Sequence, residues 1–225
     1  MRRFFLAMSF GVLALGSARG QQRFTPVDRQ QVEKAVSKRA LPTHYPKLRR
    51  RFEAFDTTLT PADYRLLYYG FVFQRGYAPY GGMRLRNVNQ LLEAGKYAAA
   101  AATCDSVLRT APVSLKANFT KGLALFLADS ADPAAMQYRN RYRALQGAIL
   151  SSGDGRSCET AFKTIYIDDE YDIMYEHLGV EQHFKQMLQP PCDVFEIKPS
   201  ASFSQPRLYF DTSESLRHME KMFRR

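Results

Sequence analysis

The sequence has too few cysteines to staple a fold and no apolar run long enough to anchor one. Three cysteines in 225 residues cannot all pair within one monomer, so at least one stays free or pairs elsewhere. The longest apolar stretch lies at the N-terminus and holds roughly a dozen residues, whereas a bilayer core needs roughly 20 in a helix. No stable membrane insertion of the mature chain is expected. The HExxH string of metalloproteases, the GxSxG of serine hydrolases, the GxxxxGK phosphate loop and the GxGxxG dinucleotide turn are all missing; this weighs against an enzyme, and no cofactor is expected. Basic residues form no long uninterrupted run. The formal charge of +10 falls to +7 once Arg2, Arg3 and Arg19 are removed, which implies a general attraction to anionic surfaces and no nucleic-acid partner.

What is present begins with a leader. Arg2 and Arg3 supply a positive start, Phe4 to Gly16 an apolar or small segment, and Ala18 and Gly20 a small-x-small exit, the order of a secretory signal peptide. Cleavage is expected before Gln21, with release into the periplasm or medium, since no cysteine near that point offers a lipid acceptor. The remaining two hundred or so residues suffice for one domain with a sizeable core. In that oxidising setting Cys158 and Cys192, both bordering turn-rich sequence, are the better pair if a bond forms. Cys104 shares helical spacing with Tyr97, Ala101, Val107 and Leu108 and reads as buried.

Two regions follow the leader, residues 21–150 and 151–225. In the first, apolar residues return at the helical period between breaks at Pro42, Pro46, Pro61, Pro79, Pro112 and Pro133, which predicts a set of short helices. The clearest starts at Thr60, a capping threonine followed by Pro61 and by Asp63 at the capping-box position. Its core face is Tyr64, Leu67, Tyr68 and Phe71; a second apolar face of Leu66, Tyr69 and Phe73 predicts protein on most sides. Residues 88–127 resemble a tetratricopeptide helix pair through Leu92, Gly95, Tyr97, Ala101, Pro112 and Gly122, although Asn118 replaces the expected aromatic and no second copy follows. A helix carrying Tyr138, Tyr142, Leu145 and Ile149 completes this region. After Ser151–Gly155 the segments AFKTIYI, CDVFEI and RLYF alternate apolar with polar residues and read as strands of a small antiparallel sheet. DDEYDIMYEHLGV between them reads as a helix, and SESLRHMEKMF as a closing helix capped by Ser213 or Ser215. The fold class is α+β, mainly α.

The stretch from Tyr45 to Tyr80 carries FDTTLT, then LYYG after Tyr64, then the pair Tyr77 and Tyr80; DDEY, CDVFEI and LYFD follow in order. With these motifs the chain resembles the family of small exported bacterial proteins catalogued as domain of unknown function 4919. That resemblance covers most of the mature chain and implies an exported protein of about this length. It brings no activity with it.

Three sets of residues carry candidate chemistry. Asp168, Asp169, Glu170, Asp172, Glu176, His177 and His183 form the densest titratable cluster, with Asp172, Glu176 and His177 as candidate metal ligands. Their spacing fits no standard site; the plainer reading places acids over a helix start, with Asp169, Asp172 and Glu176 on a solvated face. The loop from Phe71 to Gly82 presents Tyr77 and Tyr80, candidate contacts for peptides or sugars, or else rings folded back on the preceding helix. Lys47, Arg49, Arg50 and Arg51, and then Arg139, Arg141 and Arg143, read as solvated surface. The sequon at Asn118 falls inside a predicted helix and reads as coincidence. Two functional classes result: a non-catalytic module of the cell envelope that binds a protein or glycan, and a hydrolase or metal-binding protein of unfamiliar type built on the acidic and histidine cluster.

Overall fold

In the computed structural model, residues 24–81, 85 and 87–224 are described. The leader, the expected cleavage point at Gln21 and Gly82 of the tyrosine loop lie outside them. Nine helices occur among the described residues, and at 54 % helix with a four-stranded sheet the chain is α+β with helix dominant. None of these helices is long and apolar enough to cross a membrane.

Local chemistry sets the first helices. Helix α1 (Arg29–Ser37) starts where the Asp28 carboxylate accepts from the Gln30 and Gln31 N–H groups, satisfying donors that a helix start leaves free. Helix α2 (Tyr45–Glu53) has Pro46 in its first turn. Helix α3 (Pro61–Gly70) opens on the full capping box: Asp63 N–H donates to Thr60 Oγ1 at 3.2 Å, and Thr60 N–H donates to Asp63 Oδ2 at 2.9 Å. Leu67, Tyr68 and Tyr69 of α3 are buried, with α1, α2 and α7 packed around them. The expected centre of the first region is therefore its actual centre.

Residues 88–127 form three helices where a pair was expected: α4 (Val88–Glu93), α5 (Tyr97–Thr110) and α6 (Leu115–Ala128). Gly95, at φ +68°, makes the left-handed turn that separates α4 from α5. Helix α7 (Pro133–Leu150) then packs on α6. Gly122 permits that contact, because a Cβ there would lie 3.2 Å from the Ala135 carbonyl oxygen and from Tyr138 Cβ.

The second region holds β1 (Phe162–Lys163), α8 (Ile167–Asp172), a π-helical turn (Ile173–His177), β2 (His183–Gln189), β3 (Cys192–Ile197), β4 (Arg207–Asp211) and α9 (Ser213–Phe223). The sheet order is β1-β4-β3-β2. It is mixed, since β1 runs parallel to β4 while the other pairs are antiparallel. AFKTIYI contributes only two strand residues, because its other residues feed the tyrosine network described below. Strand β2 was not foreseen: it is an edge strand with a bulge after His183, exposed along most of its length, and shows no buried alternation. The N-cap residue of α9 is Thr212 in place of the expected serines, and the Asp211 carboxylate before it accepts from the Ser213 N–H at 2.8 Å. Cys158 and Cys192 are disulfide-bonded, tying the loop after α7 to β3, and Cys104 is buried and free. One hydrophobic core runs from Val36 through α3, α5 and α7 to Phe210 of β4, so both regions share an interior.

Candidate functional site

The acids of α8 divide between the core and a concavity, and the division starts at Tyr68. This α3 ring is fully buried; its hydroxyl donates to Asp169 Oδ2 at 2.6 Å and accepts from the Ile165 N–H at 3.2 Å. Asp169 Oδ1 accepts from the Leu115 N–H at the start of α6. One carboxyl thus joins α3, α6 and α8, and burial pushes it well above the usual carboxylate range. Glu170 is fully buried beside it. Among the described residues neither of its oxygens meets a hydrogen-bond partner, and burial followed by the Asp193 and Asp169 charges raises it strongly. The solvated face expected for Asp169 and Asp172 does not exist; both are buried, because α3, α6 and α7 cover α8 where a helix start on a free surface was expected.

Asp168, Asp172 and Glu176 instead line a concavity of about 290 Å³ between α8 and α6, together with Lys116, Phe119, Tyr171 and Tyr175. The three acids lie four residues apart. In an α-helix such residues drift by about 40° per step; the wider π-turn over Ile173–His177 rotates less per residue and offsets part of that drift. Asp172 is only 8 % exposed, and Tyr142 of α7 donates to its Oδ1 at 2.9 Å. Burial raises its carboxyl to about 7 against the opposing Tyr142 hydrogen bond, Glu176 adds to the rise, and Lys116 opposes it. Burial also raises Asp168, with Lys116 again in opposition. The rings of Tyr171 and Tyr175 stack at 6.3 Å. Their hydroxyls are held in place, Tyr171 donating to Gln186 Oε1 at 2.8 Å and Tyr175 bonding His183 Nδ1 at 2.6 Å.

A second concavity of about 460 Å³ adjoins the first and shares Phe119 and Leu123 with it. Phe126, Asp132, Met136, Arg139 and Arg143 also line it, between α6 and α7, with Arg139 level with Gly122. Phe119, Phe126, Leu127 and Met136 are all exposed. The groove therefore joins an acidic, aromatic end to an apolar stretch flanked by Arg139, Arg143 and Asp132.

Other candidates fall elsewhere. Tyr77 is buried, donates to the Ile165 carbonyl at 2.7 Å and packs edge-on against His218; it is unavailable as a surface contact. Tyr80 is half-exposed beside Met219 of α9. His177 does not line the acidic concavity, and burial lowers its imidazole. His183 stands behind the site, bonded to the Tyr175 hydroxyl and packed edge-on against Tyr171. No group of three or more His, Cys, Asp or Glu among the described residues is placed to hold a metal ion. Arg141, expected on the surface, is buried: it donates to the Phe52 carbonyl and lies over the Phe55 ring at 3.7 Å. Asn118 is also buried, donating to the Pro112 and Ser114 carbonyls, and offers no glycosylation site.

Sequence reasoning missed Lys116, Phe119, Tyr142, Tyr171 and Tyr175 as parts of a site. One signal was present: Phe119, Leu123 and Phe126 repeat at i, i+4, i+7 on a side of α6 other than its buried row of Leu115, Asn118 and Gly122. No curated protein and no solved structure matches the chain. A family model does match over residues 30–221, through both regions and both ends of the groove, and the chain belongs to the family described as Domain of unknown function (DUF4919).

Proposed function

We propose that this protein is an exported, non-catalytic binding module of the cell envelope whose groove between α6, α7 and α8 holds an extended segment of a partner protein. The observation that carries this reading is the pair of adjoining concavities sharing Phe119 and Leu123, with exposed Phe126 and Met136 in the lining. Contiguous exposed apolar surface with a polar rim marks interaction sites, and aromatic residues and methionine are enriched at interfaces. The leader motif of residues 1–20 supports export, and the tetratricopeptide-like stretch supports a binding role because it supplies one wall of the groove. The test is site-specific photocrosslinking in the organism's own envelope, with p-benzoylphenylalanine at Phe119 or Phe126. A discrete protein adduct at both positions, missing at the exposed control Phe223, is expected. Glycan adducts, or equal labelling at Phe223, would overturn the reading.

One observation favours a second reading, a hydrolase. Asp172, raised to about 7, stands in one concavity with Glu176, and a carboxyl near the working pH suits general acid–base transfer. Here Asp172 donates a proton to a leaving group and Glu176 activates water. Release of fragments from purified envelope polysaccharide or peptide, abolished in both Asp172→Asn and Glu176→Gln, would make this the leading reading.

A further inference from the structure

We infer that the acidic end of the groove takes a single ammonium or guanidinium group, so that the docked segment places a Lys or Arg side chain there beside an apolar residue on Phe119. This rests on the groove reading and names what the groove selects. The charge balance comes first: Asp168, Asp172 and Glu176 line the concavity with Lys116 as its lysine, an excess of two formal negative charges when all are ionised. Asp172 is nine-tenths buried; Tyr142 holds one of its oxygens, and the other has no hydrogen-bond partner among the described residues. A buried carboxylate with an unfilled acceptor facing a cavity is stabilised by a donor that also carries positive charge.

The walls point the same way. Tyr171 and Tyr175 stack, with both hydroxyls tied to β2 side chains, and Phe119 stands across the concavity, tilted on Tyr142 at 5.1 Å. Aromatic faces beside carboxylates suit ammonium and guanidinium groups through cation–π attraction. At about 290 Å³ the concavity has room for one side chain and not for a secondary-structure element. Arg139 and Arg143 flank the adjoining apolar stretch, where Asp132 is the one acid, and so disfavour a second cation next to the first.

The experiment uses mature protein, residues 21–225, and fluorescent nine-residue peptide libraries with a fixed central Leu. The neighbouring position is fixed as Lys, Arg, norleucine or Glu. Expected is at least tenfold tighter binding of the Lys and Arg libraries than of the norleucine library. Glu176→Gln, and separately Asp172→Asn, should erase that preference while changing norleucine binding less than about twofold. Lys affinity should also rise from pH 5.5 to 8 as Asp172 ionises, with Glu176, Asp168 and Asp169 on its own helix, Lys116 on α6 and Tyr142 on α7 facing it; Asp172→Asn should flatten that rise. Equal binding of the Lys and norleucine libraries, both weakened by Phe126→Ala, would overturn the cation pocket and leave the groove reading standing. Binding of no library, or binding indifferent to Phe126→Ala, would overturn both. Calcium at tens of micromolar competing away the Lys library would show an inorganic cation site in place of the one inferred.

Discussion

Tyr68 divides the interior into two halves with different chemistry. On the α1–α3 side, buried polar groups are satisfied: the Tyr45 hydroxyl donates to the Leu67 carbonyl, and Arg141 lies between aromatic rings with a carbonyl at its tip; at the surface Thr60 and Asp63 cap each other. On the α8 side, Asp169, Glu170, Asp172 and Asp193 are buried together, and neither Glu170 oxygen has a hydrogen-bond partner among the described residues. Burying carboxyl groups against one another costs stability, which argues for a role beyond holding the fold. The helical half satisfies its buried polar groups locally, and the α8 half carries the buried carboxyls on which the proposed groove rests.

The comparison is broken most directly at its boundary. Tyr68→Ala removes a large buried ring and the donor to Asp169, and should destabilise by about 3–5 kcal/mol; a loss below about 1 kcal/mol in chemical denaturation would mean that α3 is peripheral. Next in size is the disulfide of the α8 half. Serine at both Cys158 and Cys192, which close a loop with a sequence separation of 34, should cost about 3–4 kcal/mol, with hydrogen exchange rising in β3 before α3. Equal rises in both would show that the halves open as one unit.

Asp172→Asn should act with the opposite sign. The folded-state carboxyl titrates near 7 and the unfolded one near 3.9, so the folded chain holds this proton longer. The penalty is therefore absent below about pH 4, grows as pH rises towards 7 and is complete above it. The variant should be more stable than the parent by about 1–3 kcal/mol at pH 8 and equal to it at pH 4, measured by urea denaturation. A loss of stability at pH 8 would show that Asp172 serves the fold. The smallest effect belongs to the helical half: Thr60→Ala should cost about 1 kcal/mol by removing one arm of the capping box, at all pH values from 5 to 8.

Much of the helical half was legible in the chain. The start of α3, its surrounded position and the burial of Cys104 follow from short-range periodicity and capping chemistry, and turn-rich flanks singled out Cys158 and Cys192. Strand β2 was missed because an exposed edge strand lacks the buried alternation that marks a strand. Arg141 was misplaced because helical spacing alone cannot reveal that Phe52 and Phe55, from an earlier helix and its end, would cover it.

The sequence by itself determined that the first region is helical, where α3 starts and the family to which the chain belongs, because those signals lie within a few residues of one another. Only the tertiary structure decided which acids of α8 go inside. The donor to Asp169 comes from 101 residues away, the α6 amide from 54 and the donor to Asp172 from 30. Whether a carboxylate is a solvated surface charge or the floor of a pocket depends on what is packed over it, and here α3, α6 and α7 converge on one side of α8.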